Sequence, residues 1–226
     1  MKKFAILAAV VLVVGLVVTG AALAADGSQP SAKATAKVGD IAILNSTALG
    51  WTTILQNDIK TPNMKDLFID VSLECGLYTD TLVKSKGGVA DTSMAEAGVK
   101  VRVLVDEAVA YPGEVVFCNR MQQLMAKFGG IMVSCTDING NGVITAAECI
   151  WTEEELQLIL DTMNANAFNF ILDDLGPGVH TIAVQARIDT TGSAQLGSFA
   201  ANATIGNGSV TVEEVRLIKG EDICLE

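Results

Sequence analysis

The chain has 226 residues, 26 acidic against 15 basic side chains, a formal net charge of −11 and a single histidine. That balance argues against a nucleic-acid partner, because phosphate binding needs a clustered basic surface. One histidine excludes every site built on two or more, HExxH proteases and three-histidine zinc centres among them. Half the residues are apolar and 18% are charged, a composition that folds rather than stays disordered.

Lys2 and Lys3 precede an apolar run over residues 4–18, and Ala22-Leu23-Ala24 is a small-x-small cleavage site. Residues 1–24 therefore read as an export signal. Residues 25–40 form a polar lead-in, and one domain is expected over 41–226. No later stretch holds 18 uninterrupted apolar residues, so no membrane span is expected after cleavage. Export would put Cys75, Cys118, Cys135, Cys149 and Cys224 in an oxidising space. Five is odd, so at least one cysteine stays free or pairs between chains.

The first clear element is 67–75, where Leu67, Ile69, Val71, Leu73 and Cys75 share one face and Asp70, Ser72 and Glu74 the other. Period two with one wet face predicts a half-buried strand. Val99, Val101, Val103 and Val105 repeat the pattern. Tyr111-Pro112-Gly113 signals a turn before a further apolar run over 114–118. A weak helix is expected over 120–127.

Residues 137–148, Asp-Ile-Asn-Gly-Asn-Gly-Val-Ile-Thr-Ala-Ala-Glu, fit D-x-[DN]-x-[DN]-G-x₅-E throughout. Asp137, Asn139 and Asn141 at alternate positions can turn their side-chain oxygens to one point as the chain curls. Gly142 permits the sharp turn, Val143 offers its backbone carbonyl, Thr145 binds directly or holds a water, and Glu148 closes the shell with two oxygens. An all-oxygen shell suits Ca²⁺ and disfavours Mg²⁺, which prefers a small octahedral site and keeps its waters. With only Asp137 and Glu148 anionic, the expected dissociation constant is on the order of 10⁻⁴–10⁻³ M. The loop resembles an EF-hand or dockerin-type calcium loop over these residues alone. Both families work with paired loops and flanking helices, whereas this chain has one copy, and 128–134 before it reads as turn and strand. Cys135 and Cys149 bracket the loop. A disulfide between them would staple its ends and contribute roughly 3 kcal/mol in the chain-entropy model, provided the Cα atoms lie within about 7 Å. Cys75, Cys118 and Cys224 would then remain, with three pairings open.

After the loop, Thr152 and Glu155 form a capping box, and Leu156, Ile159, Leu160 and Met163 recur at helical spacing. A short helix is predicted there, which with the loop makes an insertion at about 120–166. Phe168, Phe170 and Leu172 alternate, and Gly176-Pro177-Gly178 breaks the chain. His180, Ile182, Val184, Ala186 and Ile188 then share a face. A final strand over 208–217 holds Val210, Val212, Val215 and Leu217, with a bulge expected at Glu213-Glu214. The segment 175–184 resembles the corner and penultimate strand of bacterial immunoglobulin-like domains. There an aromatic after the Pro/Gly turn, usually Tyr, ties the corner through its hydroxyl, and His180 stands in that place. The expected fold is mainly β: an antiparallel immunoglobulin-like sandwich with a calcium-loop plus short-helix insertion.

His180 reads as a hydrogen-bonded packing residue, and Trp51 and Trp151 as core. Asp173-Asp174 and Glu213-Glu214 read as solvated surface rather than glycosidase carboxylates. Asn45, Asn202 and Asn207 begin glycosylation triplets. Three readings of function follow. The first is a secreted or cell-surface, non-enzymatic module braced by calcium, with an extracellular protein or polysaccharide as possible partner. The second is an extracellular carboxylate-dependent hydrolase with structural calcium. The third is a filament subunit joined by strand exchange through the lead-in.

Overall fold

The computed structural model describes residues 33–39, 50–86 and 88–218. The export signal, Cys224 and the Asn45 triplet lie outside them, as does all of the lead-in except 33–39. Every strand pairing among the described residues is antiparallel. One sheet, A, has the order β1 (Ala34–Gly39), β11 (Ser198–Val215), β3 (Lys65–Lys86), β9 (Glu153–Leu175). The second, B, has the order β2 (Thr52–Thr61), β10 (Gly178–Ala194), β4 (Ala90–Val105). Both the short β5 (Ala108–Val109) and β6 (Val115–Lys127) lie on the outer edge of β4. Chain order alternates between the sheets, so most connections cross the sandwich rather than run along one layer.

Alternation in the sequence becomes burial. Ile69 and Val71 of β3, Val101 and Val103 of β4, Ile182 and Val184 of β10, and Val210 and Val212 of β11 are fully enclosed between the sheets. Cys75 on β3 and Cys118 on β6 form a disulfide that ties sheet A to sheet B, with Cα atoms 6.6 Å apart. Of the pairings left open by the sequence, the structure selects this one.

The helical expectations over 120–127 and 152–163 are overturned, and with them most of the 120–166 insertion. Residues 120–127 belong to β6, residues 153–166 belong to β9, and only 128–152 leaves the two sheets. The reason is a partner longer than the local signal. Every β9 residue from Glu153 to Leu172 faces a residue of β3 between Leu67 and Lys86. Leu156, Leu158 and Leu160 also alternate, and the ladder uses that period instead of the helical one. Thr152 caps nothing: its hydroxyl accepts from Ile131 N at 2.8 Å and its own N–H donates to Ile131 O at 2.9 Å. Glu155 pairs with Lys84 at 2.6 Å rather than closing a capping box.

The bulge is displaced too. The β11 register shifts between Ile205 and Gly208, where Glu74 Oε2 accepts from Asn207 N and Nδ2 at 3.0 and 3.1 Å. Pairing then runs unbroken through Glu213 and Glu214 to Val215. The one-residue shift moves the even-numbered residues inward, so Glu214 is buried rather than solvated, and its Oε1 has no hydrogen-bond partner among the described residues.

Beyond Cys75 the interior turns polar. Gln122 of β6 accepts from Thr79 Oγ1 at 2.9 Å and donates to Thr81 Oγ1 and Leu158 O at 2.6 and 2.7 Å. At the far end Asp91, fully buried, accepts four backbone N–H groups: Lys84 at 2.7 Å, Thr92 at 2.8 Å, Leu196 at 2.9 Å and Gly197 at 3.0 Å. One carboxylate thus joins the β3–β4 and β10–β11 connections. A Cβ on Gly197 would collide with the Leu82 carbonyl, so only glycine lets this turn come so close.

At the opposite end His180 closes the corner. Its Nδ1 lies 2.6 Å from Asp106 Oδ2, and its Nε2 lies 2.9 Å from Gly176 O and 3.1 Å from Thr61 Oγ1. The Gly176 contact runs back to a carbonyl four residues upstream. Asp106 and Glu107 both have positive φ, 48° and 76°, in the tight β4–β5 turn. Asp106 also accepts from Thr181 N at 2.9 Å.

Two predictions follow from these polar anchors. Burial alone would push the Asp91 carboxyl up, but its four N–H donors outweigh that and hold it below the usual range. A depressed acid stabilises the fold in full above about pH 4, and the contribution is lost as pH falls through the folded value. Asp91→Ala leaves several buried N–H groups unpaired and should cost about 3 kcal/mol or more in urea unfolding. The difference from wild type should shrink on acidification. His180→Ala, which strips partners from Asp106 and Thr61, should cost about 2–4 kcal/mol by the same measurement.

Candidate metal centre

The 128–152 excursion is a small hairpin, β7 (Met132–Cys135) against β8 (Cys149–Trp151), with residues 137–148 at its tip. Cys135 and Cys149 face each other across it and form a disulfide with Cα atoms 4.0 Å apart. The staple is therefore present. Strands, not helices, flank the loop, and one 3-10 turn, Ala146–Glu148, follows Thr145.

Within the tip the polar side chains fold the backbone around themselves. Asp137 Oδ1 accepts from Gly140 N at 2.7 Å and from Asn141 N at 3.3 Å, while Oδ2 accepts from Gly142 N at 2.7 Å. Asn139 Oδ1 accepts from Asn141 N at 3.0 Å and Asn141 Oδ1 from Val143 N at 2.8 Å. These are successive Asx turns. Gly140 and Gly142 adopt φ of +68° and +77°, so the sixth position makes the left-handed turn that the pattern needs glycine for.

Glu148 turns back over the loop. Its Oε2 accepts from Thr145 N at 2.8 Å and Thr145 Oγ1 at 3.0 Å, and its Oε1 accepts from Asn139 Nδ2 at 2.9 Å. The Thr145 N–H first, then the Thr145 hydroxyl, hold the Glu148 carboxyl below the usual carboxylate range. The Asn139–Glu148 bond joins the third and twelfth positions directly, closing the loop on itself.

Residues 137–148 carry two carboxylates, two amide oxygens, a hydroxyl and a backbone carbonyl as candidate donors, all hard oxygens. Among the described residues no three His, Cys, Asp or Glu side chains stand together as a metal cluster. The tip contains only two residues of those kinds, Asp137 and Glu148, so any cation held here depends on Asn139, Asn141, Val143 and Thr145 for the rest of its shell.

Other expected features resolve differently. Neither tryptophan is core. Trp51 lies half-buried with the Arg102 and Arg187 guanidinium carbons 4.4 and 5.0 Å from its ring centre. Trp151 donates from Nε1 to Ala146 O at 3.3 Å, beside the loop. Asp106, His180 and Thr61 have the spacing of a carboxylate–imidazole–hydroxyl triad, an array that the sequence offered no spacing to find. Thr61 is buried, however, and donates its proton to Gly176 O at 2.7 Å, so the hydroxyl is committed to the corner. Asp174 lines a cavity of about 430 Å³ with Asp66. There Asp66 accepts the backbone N–H of Asp174 at 3.0 Å and of Leu217 at 2.7 Å.

No protein-family model matches the chain, and no curated protein matches it in sequence. Among solved structures, that of infectious bursal disease virus Gx strain overlaps 88% of this chain and 37% of its own, at 12% identity and a TM-score of 0.30. Dimeric latent PorU from Porphyromonas gingivalis overlaps 83% of this chain and 14% of its own, at 8% identity and a TM-score of 0.29. The VP2 subviral particle of infectious bursal disease virus overlaps 87% and 42%, at 10% identity and a TM-score of 0.30. The chain spans less than half the length of each, and likenesses this loose carry no argument about role.

Proposed function

We propose that this protein is an exported, non-enzymatic β-sandwich module in which one calcium ion binds the 137–148 loop and fixes the 128–152 hairpin. Its role is structural or cell-surface, presenting the hairpin to an extracellular protein or polysaccharide. The observation that supports this reading is where the loop's polar groups are directed. The hydrogen bonds of Asp137, Asn139, Asn141 and Glu148 described above all stay within residues 137–148. The loop is braced against itself by a disulfide at its neck and lends nothing to either sheet.

The residues fit a hard cation. Asp137 and Glu148 supply charge from the two ends of the loop, Asn139 and Asn141 supply neutral oxygens, and the Val143 carbonyl and Thr145 complete an oxygen shell. Ca²⁺ would neutralise the two carboxylates and hold the tip in one shape. Exchanging the Asn139 amide contact of Glu148 for a metal contact would keep the loop closed. Two anionic ligands give an affinity suited to extracellular calcium and too weak for cytosolic calcium. Export is supported by the sequence of residues 1–24 and by the two disulfides, which persist in oxidising compartments.

Titration calorimetry should give one site with a dissociation constant on the order of 10⁻⁴–10⁻³ M. Millimolar Ca²⁺ should raise the melting temperature, and Asp137→Ala should abolish both effects. Identical melting in calcium and in chelator, with no heat of binding, would defeat the reading. Opening the neck with Cys135→Ser and Cys149→Ser should weaken calcium binding by up to about 100-fold, the equivalent of the roughly 3 kcal/mol of loop ordering that the staple supplies. The same double variant should leave the global urea midpoint nearly unchanged, because 128–152 lies outside both sheets.

A further inference from the structure

Two of the three glycosylation triplets lie on β11, and the fold treats them differently. Residues 202–204, Asn-Ala-Thr, run along the strand, whereas residues 207–209, Asn-Gly-Ser, begin at its bulge. Ala203 and Ile205 are buried, so alternation turns Asn202 and Thr204 to the outer face of sheet A. Asn202 is exposed there. Its Oδ1 accepts from Ala203 N at 2.9 Å, while its Nδ2 donates to no group among the described residues. The nitrogen that a sugar would join is therefore the uncommitted atom of the amide. Asn207 is placed otherwise. Both its N–H and its Nδ2 donate to Glu74 Oε2, at 3.0 and 3.1 Å, which draws its amide onto β3.

The space around Asn202 suits a bulky substituent. Its neighbours on the same face of the strand are the small Ala200 and Thr204. On one side it stands directly opposite Tyr78 of β3, with Cβ atoms about 5 Å apart. The half-buried Tyr78 ring offers an apolar face to the first sugar. On the other side no described strand stands beside Asn202, because β1 ends opposite Gly208. The stretch 198–205 along that edge carries no charge and no proline, the usual guards against pairing with another chain. A glycan at Asn202 supplies bulk where those guards are missing.

We infer that Asn202 is an N-glycosylation site, modified during export before β11 pairs. The donor is an oligosaccharide carried on a lipid diphosphate. Asn202 Nδ2 attacks C1 of the sugar next to the diphosphate, and the C1–O bond breaks. The lipid diphosphate leaves, and the amide gives up one proton to base; no electrons are transferred. Glycosylation here requires the export proposed above but not the cation.

Peptide mass spectrometry of the protein isolated from its own host tests this. The tryptic peptide 188–216 holds both β11 triplets, so electron-transfer fragmentation should place a glycan on Asn202. Asn202→Gln and Thr204→Ala, both on the outer face of the sheet, should lose that glycan and still melt cooperatively. Thr204→Ser should keep it. The N-terminal peptide of the same sample separates the inference from the export reading. A chain that begins after Ala24 with Asn202 bare, or with a glycan on Asn207 instead, would overturn the inference alone. So would a modification of Asn202 that survives Thr204→Ala. An intact leader with Asn202 bare would overturn the export reading as well.

Discussion

Backbone pairing along β3 is the constraint from which the rest of the molecule follows. This 22-residue strand is hydrogen-bonded on one edge to β11 and on the other to β9, almost from end to end. A strand paired on both sides fixes the period of its neighbours, because a residue opposite an inward side chain must itself point inward. That is why 153–163 is extended. A capping box and a helical spacing are worth about a kcal/mol or so locally, and they compete with a ladder that satisfies the backbone groups of a whole strand.

The sequence was legible where one face is buried and the other wet. Residues 67–75, 99–105 and 180–188 read as strands because their alternation reports sheet packing directly, and the sandwich class followed from them. His180 read as a packing residue, and the structure gives it partners on both ring nitrogens. The sequence failed where burial is incomplete. β9 and β6 lie at the sandwich rim, so their patterns blur and admit a helical reading. It failed again at Glu214, which shares the inward face of Val210 and Val212 because pairing stays in register through 213–215, where a bulge was expected. Cys75–Cys118 stayed one of three open pairings, although each cysteine ends an apolar run and the two turn out to join facing sheets. Local sequence has no means of saying which strands face each other.

The candidate site was legible to a different degree. Its spacing is local, and so are the geometry of its turns and its staple: Gly142 has the required positive φ, and Cys135 faces Cys149. The Asn139–Glu148 contact and the strand flanks lay beyond the pattern. The loop is thus a self-contained unit set outside the two sheets. The polar anchors at the two ends of the sandwich, Asp91 and His180, are its counterparts within the sheets. Each uses one side chain to satisfy several backbone groups that a turn leaves open.

The neck of the hairpin has a topological consequence. Because Cys135 and Cys149 are covalently joined, a protease that cuts the exposed tip anywhere between them separates no fragment from the molecule. Both sheets and both halves of the chain stay attached through sulfur. A protein so built can be nicked in this exposed segment and still migrate as one chain until it meets a reductant.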